Sequence, residues 1–116
     1  MSKNIYYHNP RCSKSRQGLA LLEENNVNFE IKEYLKAGFQ KTELKNLFSA
    51  LNLSPAEVVR KKDDLYKELV LKTSDFSTDQ WIELIIKHPA LIERPILHTV
   101  KGAKIGRPPE NLLEII

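Results

Sequence analysis

Cysteine occurs once in this chain, at position 12. That excludes an intramolecular disulfide, so any redox cycle at Cys12 must borrow its resolving thiol from another molecule. Long apolar runs are missing too. No stretch approaches the ~20 apolar residues that span a bilayer. Met1-Ser2-Lys3-Asn4 runs straight into a strand-like segment without the apolar region of a signal peptide. The expected location is the cytoplasm, with no membrane partner. Charge of one sign is not in large excess: 18 Lys and Arg against 15 Asp and Glu leave +3. The one compact basic run, Arg60-Lys61-Lys62, is followed directly by Asp63-Asp64. Nucleic acid is therefore not expected as a partner, and a small anionic substrate or anionic peptide fits better. His8, His88 and His98 are scattered and lack ligand spacing with Cys12, so no metal site is expected. Repeats, low-complexity segments and Gly/Ser linkers are absent.

What is present reads as one α/β domain spanning residues 1–116. An apolar fraction of 41% can fill a core. Asn4-Ile5-Tyr6-Tyr7-His8 is a short β-branched and aromatic run, a buried strand in prospect, and Asn9-Pro10 breaks it. Residues 13–25 turn helical, and Asn25-Asn26 stops them. Residues 27–34 alternate apolar and polar, which predicts a second strand. The opening is thus a βαβ unit.

The middle is helical. Leu44, Leu47, Phe48 and Leu51 form an apolar stripe at i, i+3, i+4 and i+7. Ser54-Pro55-Ala56-Glu57 is a capping box with proline at the first helical position, predicting a short helix that carries Val58 and Val59. A further piece is expected around Asp64 to Leu69. Ser77-Thr78-Asp79-Gln80 caps another helix, which stops near Pro89. Residues 95–100 and 103–105 then read as antiparallel strands around Lys101-Gly102, and Pro108-Pro109-Glu110 opens a last helix. Without the middle, this order is the thioredoxin-like arrangement, a mixed four-stranded sheet flanked by helices. Residues 40–90 would be a helical insertion between its βαβ and ββα halves.

Cys12 lies between a strand end and a helix start. The first helical N–H groups have no internal partners and the helix dipole is positive there, so a thiolate is favoured. Arg11, Lys14 and Arg16 add cationic charge nearby, in the kind of setting that lowers a thiol pKa. Polar neighbours argue against a buried, inert cysteine. Ser15 occupies the second position of a Cys-x-x-Cys spacing, where it can hydrogen-bond a thiolate but cannot form a disulfide. His8, four residues before Cys12, is a candidate to ionise the thiol or shuttle a proton.

Tyr7-His8-Asn9-Pro10-x-Cys12-x-x-Ser15-Arg16 resembles the nucleophile loop of the glutaredoxin-coupled arsenate reductase family. Glu93-Arg94-Pro95-Ile96 resembles that family's Arg-Pro element at its third strand, and Gly106-Arg107-Pro108 its next Arg-Pro. Ser13 and Lys14 depart from the Gly and Thr that usually follow the cysteine. The resemblance implies that the Cys12 thiolate attacks arsenate while Arg60, Arg94 and Arg107 hold the oxyanion. Paired guanidinium forks suit such a tetrahedral anion. It also implies glutathione as co-substrate, a glutaredoxin as partner, no bound cofactor, and a cis proline at Pro95. A monomer is the default. Two alternatives stand beside it: a glutathione-dependent thiol reductase without arsenate activity, and an RNA polymerase-binding regulator of the same superfamily. Redox-switching members of the latter use Cys-x-x-Cys, which Cys12-x-x-Ser15 does not supply.

Overall fold

The computed structural model describes residues 4–61, 64–69 and 76–116. Met1, Ser2 and Lys3 of the opening segment, and Lys62 and Asp63 of the basic run, lie outside the described residues. The chain forms two units, Met1–Ala37 with Arg94–Ile116, and Gly38–Glu93.

In the first unit, β1 (Ile5–Tyr7) is followed by α1 (Ser13–Glu24), β2 (Glu30–Lys32) and the single turn α2 (Tyr34–Ala37). The returning segment gives β3 (Ile96–Thr99), β4 (Gly102–Ile105) and a 3₁₀ helix, Pro109–Ile115. The four strands form one sheet in the order β2-β1-β3-β4. β1 runs parallel to β2 and antiparallel to β3, and β4 is antiparallel to β3. This is the mixed thioredoxin-like sheet expected from the element order. Tyr6, Leu22, Leu97, Leu112 and Ile115 form its core, with Leu19, Val27 and Phe29 packed against them. The α1 helix packs on the terminal 3₁₀ helix through Gly18, where a Cβ would collide with Tyr6 Oη and crowd Leu112 and Pro95 at 3.1 and 3.2 Å.

Two elements of this unit differ from the sequence expectation. β2 occupies only Glu30–Lys32 rather than 27–34. Asn26 ends α1 in the left-handed region (φ 56°), and the Val27 N–H bonds back to Leu22 O at 3.1 Å. Val27 and Phe29 are thus spent on the core before the strand begins, and Tyr34, fully buried, opens α2 instead of closing β2. The last helix is 3₁₀ rather than α. Its buried residues, Leu112 and Ile115, are three apart, and a three-residue turn lines them up along one edge.

The second unit contains α3 (Lys41–Leu51), α4 (Pro55–Val58), α5 (Asp64–Leu69), α6 (Thr78–Lys87) and a 3₁₀ turn, Pro89–Leu91. The predicted apolar stripe of α3 is buried, and α3 and α4 pack on α6 through Trp81, Ile82 and Ile85. The predicted capping box at Ser54 and the predicted cap at Ser77 both form: Ser54 N–H donates to Glu57 at 2.8 Å, and Gln80 N–H donates to Ser77 Oγ at 3.2 Å. Val59 falls outside its predicted helix. It turns extended (ψ 150°) and bridges to Ile92, an arrangement tied by Arg60 N–H to Leu91 O at 2.8 Å. No described helix is long and apolar enough to cross a membrane.

Candidate active site around Cys12

Strand register brings four segments to one end of the sheet. Tyr7, the last residue of β1, pairs with Lys32, the last of β2, and with Ile96, the first of β3. Ile96 in turn pairs with Ile105, the last of β4. The residues after Tyr7, after Lys32, before Ile96 and after Ile105 therefore emerge together. These are the loop from His8 to Cys12, the segment 33–36, Arg94-Pro95, and Gly106-Arg107.

Cys12 is the N-cap residue of α1, with extended backbone (φ −92°, ψ 122°) and a half-buried side chain. Its loop is held by Cys12 N–H to Asn9 O at 3.0 Å, Arg11 N–H to Asn9 Oδ1 at 3.1 Å, and Arg16 to Pro10 O at 2.8 Å. The thiol closes no cap hydrogen bond of its own. Burial by itself raises the thiol pKa, but the Ser15 N–H, the Arg94 guanidinium and the Lys14 N–H outweigh it. The thiol sits below its ordinary value. The cation acting on the sulfur is Arg94, distant in sequence. The neighbouring Arg11, Lys14 and Arg16 side chains are exposed, where solvent screens them.

Ser15 is fully buried and its hydroxyl is occupied. It accepts from Asn9 N–H at 3.0 Å and lies 2.8 Å from His8 Nδ1. What Ser15 directs at the thiolate is its backbone N–H. His8 is buried, and its pKa is lowered by that burial, against the opposing pull of Glu33. The imidazole is therefore neutral at pH 7. Ser15 Oγ and His8 Nδ1 share a hydrogen bond whose direction follows the imidazole tautomer. His8 thus reaches Cys12 through Ser15. Tyr6 completes the group, its hydroxyl donating to Ser15 O at 2.6 Å and its ring lying 5.6 Å from His8.

Arg94 and Arg107 come together. Arg107 Nε–H donates to Arg94 O at 2.9 Å, and Gly106 N–H to Pro95 O at 2.9 Å. Both Arg94–Pro95 and Arg107–Pro108 are cis. The first was expected at Pro95 and the second was not. Arg94 Nε–H is buried without a hydrogen-bond partner, a donor that an oxyanion beside Cys12 would satisfy. Arg60 lies in the second unit, where its guanidinium is 3.8 Å from Glu93. Among the described residues no three of His, Cys, Asp or Glu gather as a metal site.

Sequence reasoning missed Tyr6 and Asn9, which build the loop from beneath. The available signal was Gly18: a glycine inside a helix is unfavourable and marks a close approach.

The profile of the ArsC family matches residues 7–115. The chain belongs to the ArsC family. The matched segment of this ArsC chain contains His8, Cys12, Ser15, Arg60, Arg94 and Arg107. An arsenate reductase of Neisseria meningitidis is 45% identical to it over 111 residues, covering 95% of each chain. YfgD of Escherichia coli, called an uncharacterized protein, is 46% identical over 118 residues, covering 100% of this chain and 99% of that one. Among solved ArsC-like structures, an arsenate reductase from Vibrio cholerae superposes with a TM-score of 0.93. It is 43% identical and covers 99% of this chain and 98% of its own.

Proposed function

We propose that this ArsC-family chain reduces arsenate to arsenite, with Cys12 as nucleophile and glutathione and glutaredoxin as reductants. The observation that carries the reading is the pairing of an activated half-buried thiol with the Arg94 guanidinium, whose buried Nε–H has no partner. The same cation favours the thiolate and a tetrahedral oxyanion approaching it. Arg107, fixed on the Arg94 carbonyl, adds a second guanidinium to that flank. Arg60 is proposed as the third.

In the proposed cycle the Cys12 thiolate attacks arsenic and a water leaves, forming a thiol–arsenate adduct. Glutathione sulfur attacks the adduct, and a glutaredoxin thiolate then takes the glutathione sulfur as a mixed disulfide. The glutathione attack expels a second water. The glutaredoxin attack breaks the glutathione S–As bond and leaves its electron pair on arsenic, now arsenic(III). Water then hydrolyses the Cys12–As bond, releasing arsenite and returning Cys12 as thiol. Overall, arsenate and two thiols give arsenite, one disulfide and one water. A single cysteine fits this scheme because both electron-donating thiols come from outside. Such a cycle belongs in the reducing cytoplasm, with the chain acting as a monomer and needing no bound cofactor.

The test is arsenite formation with glutathione and glutaredoxin, for the chain and for Cys12→Ser. Turnover is expected from the first and none from the second; turnover that survives in Cys12→Ser overturns the reading.

A further inference from the structure

The sheet order gives the nucleophile loop two different flanks. On the β3 side stand Arg94 and, bonded to its carbonyl, Arg107. On the β2 side lies a cleft of about 420 Å³, lined by His8, Asn9, Pro10 and Arg11 from the loop and by Glu33, Leu35 and Lys36 after β2. Its volume falls in the range of small-ligand sites. Its loop wall ends one residue before Cys12, so a ligand seated there borders the nucleophile without occupying the oxyanion flank.

The lining has a definite charge pattern. Arg11 and Lys36 are exposed cations, and Glu33 is the single carboxylate. Lys36 and Glu33 pair at 3.6 Å, but their side chains are 81% and 40% exposed. Such a pair is weakly held and either member can turn to a ligand. Leu35, 45% exposed, and Pro10 supply an apolar strip between the charges. Asn9, almost buried, brings an amide to the cleft floor. Two cations and one anion around an apolar strip complement a small peptide that carries two carboxylates and one ammonium.

We propose that this cleft is the seat of the thiol co-substrate, a γ-linked peptide thiol of the charge pattern of glutathione. Arg11 and Lys36 hold its two carboxylates, Glu33 faces its ammonium, and its sulfur is presented to the Cys12 adduct from the flank opposite the arginines. The inference rests on the proposed function for its chemistry, but its binding step needs no arsenate. No bond changes in that step; the later sulfur attack is the one already balanced above.

The experiment is an amide NMR titration of Cys12→Ser with S-methylglutathione, which cannot exchange disulfides. Shifts are expected in the 9–11 and 33–36 segments. Arg11→Gln and Lys36→Gln should each weaken binding roughly threefold to tenfold. The analogue with its glycine carboxylate converted to the amide, which has one carboxylate fewer, should bind more weakly than the parent. Shifts confined to Arg94 and Arg107, or affinity unchanged in both variants, overturn the assignment. Cleft binding in a chain that forms no arsenite sinks the arsenate reading and leaves this one standing. Arsenite formation without cleft binding does the reverse.

Discussion

Ser15 is the residue on which the thiol's environment turns. Its side chain ties His8 and Asn9, its carbonyl takes the Tyr6 hydroxyl, and its N–H acts on Cys12. Tyr6→Phe removes one buried hydrogen bond to that carbonyl, costing about 1 kcal/mol of stability. Because the first turn then loosens, the thiol pKa should rise, shifting the pH profile of iodoacetamide alkylation upward while the rate at high pH is kept. A profile that stays put while the protein is merely less stable shows Tyr6 to be only a packing residue. His8 gives a pH signature of its own. Its folded pKa lies below the ordinary 6.5, so between those values the unfolded chain binds more protons. Stability is then complete above about pH 7 and falls as pH drops through 6.5 toward the folded value. Urea unfolding from pH 7.5 to 5 should show that decline, and His8→Gln should flatten it. His98, also lowered by burial, contributes the same sign and remains in both proteins. Cys12 itself was legible from local chemistry, being a lone thiol at a strand-to-helix junction. The role of Ser15 was only half legible, since a hydroxyl three residues on in sequence says nothing of which partner claims it.

At the level of elements, α1 is the part that must be placed accurately, because its first turn carries the N–H groups around the sulfur. Its placement depends on Gly18, against which Tyr6 Oη, Leu112 and Pro95 close. Alanine ordinarily strengthens a helix by nearly 1 kcal/mol over glycine. Here Gly18→Ala should instead destabilise by roughly 1–3 kcal/mol, the usual scale of overpacking. In a Tyr6→Phe background the nearest clash is gone, so the double variant should lose less stability than the sum of the singles. Thermal melts of the four proteins measure that coupling, and strict additivity would deny the contact. Helices with sequence-local signals were read well. The capping box at Ser54, the cap at Ser77 and the stripe of α3 depend on residues three or four apart, and all three formed. The misreadings came where tertiary demand overrode local pattern. The alternation over 27–34 looked like one strand, yet Val27 and Tyr34 were claimed by the core and by α2. The terminal segment kept its apolar residues three apart, a spacing that serves a 3₁₀ turn as well as an α-helix.

At the scale of the molecule, the site is a product of sheet register. Residues 12, 94 and 107 lie far apart in the chain. They meet because Tyr7 pairs with Ile96 and Ile96 with Ile105. No local pattern encodes that pairing, and only the resemblance of two Arg-Pro elements pointed to it beforehand. The two arginines, however, are not equivalent once placed. Arg94 acts directly on the thiol, whereas Arg107 is anchored through Nε to the Arg94 carbonyl. Removing a charge-assisted hydrogen bond to an oxyanion costs about 1.5–3 kcal/mol, or roughly ten- to hundredfold in kcat/KM. Arg94→Gln should therefore lower kcat/KM for arsenate and also move the alkylation pH profile upward. Arg107→Gln should lower kcat/KM by a comparable factor while leaving that profile where it was. If both variants shift the profile equally, the thiol senses the summed charge of the sheet end. If neither changes arsenate kinetics, the oxyanion is held elsewhere. Thiol titration by alkylation and steady-state arsenite formation, run on the same preparations, separate activation of the nucleophile from capture of its target.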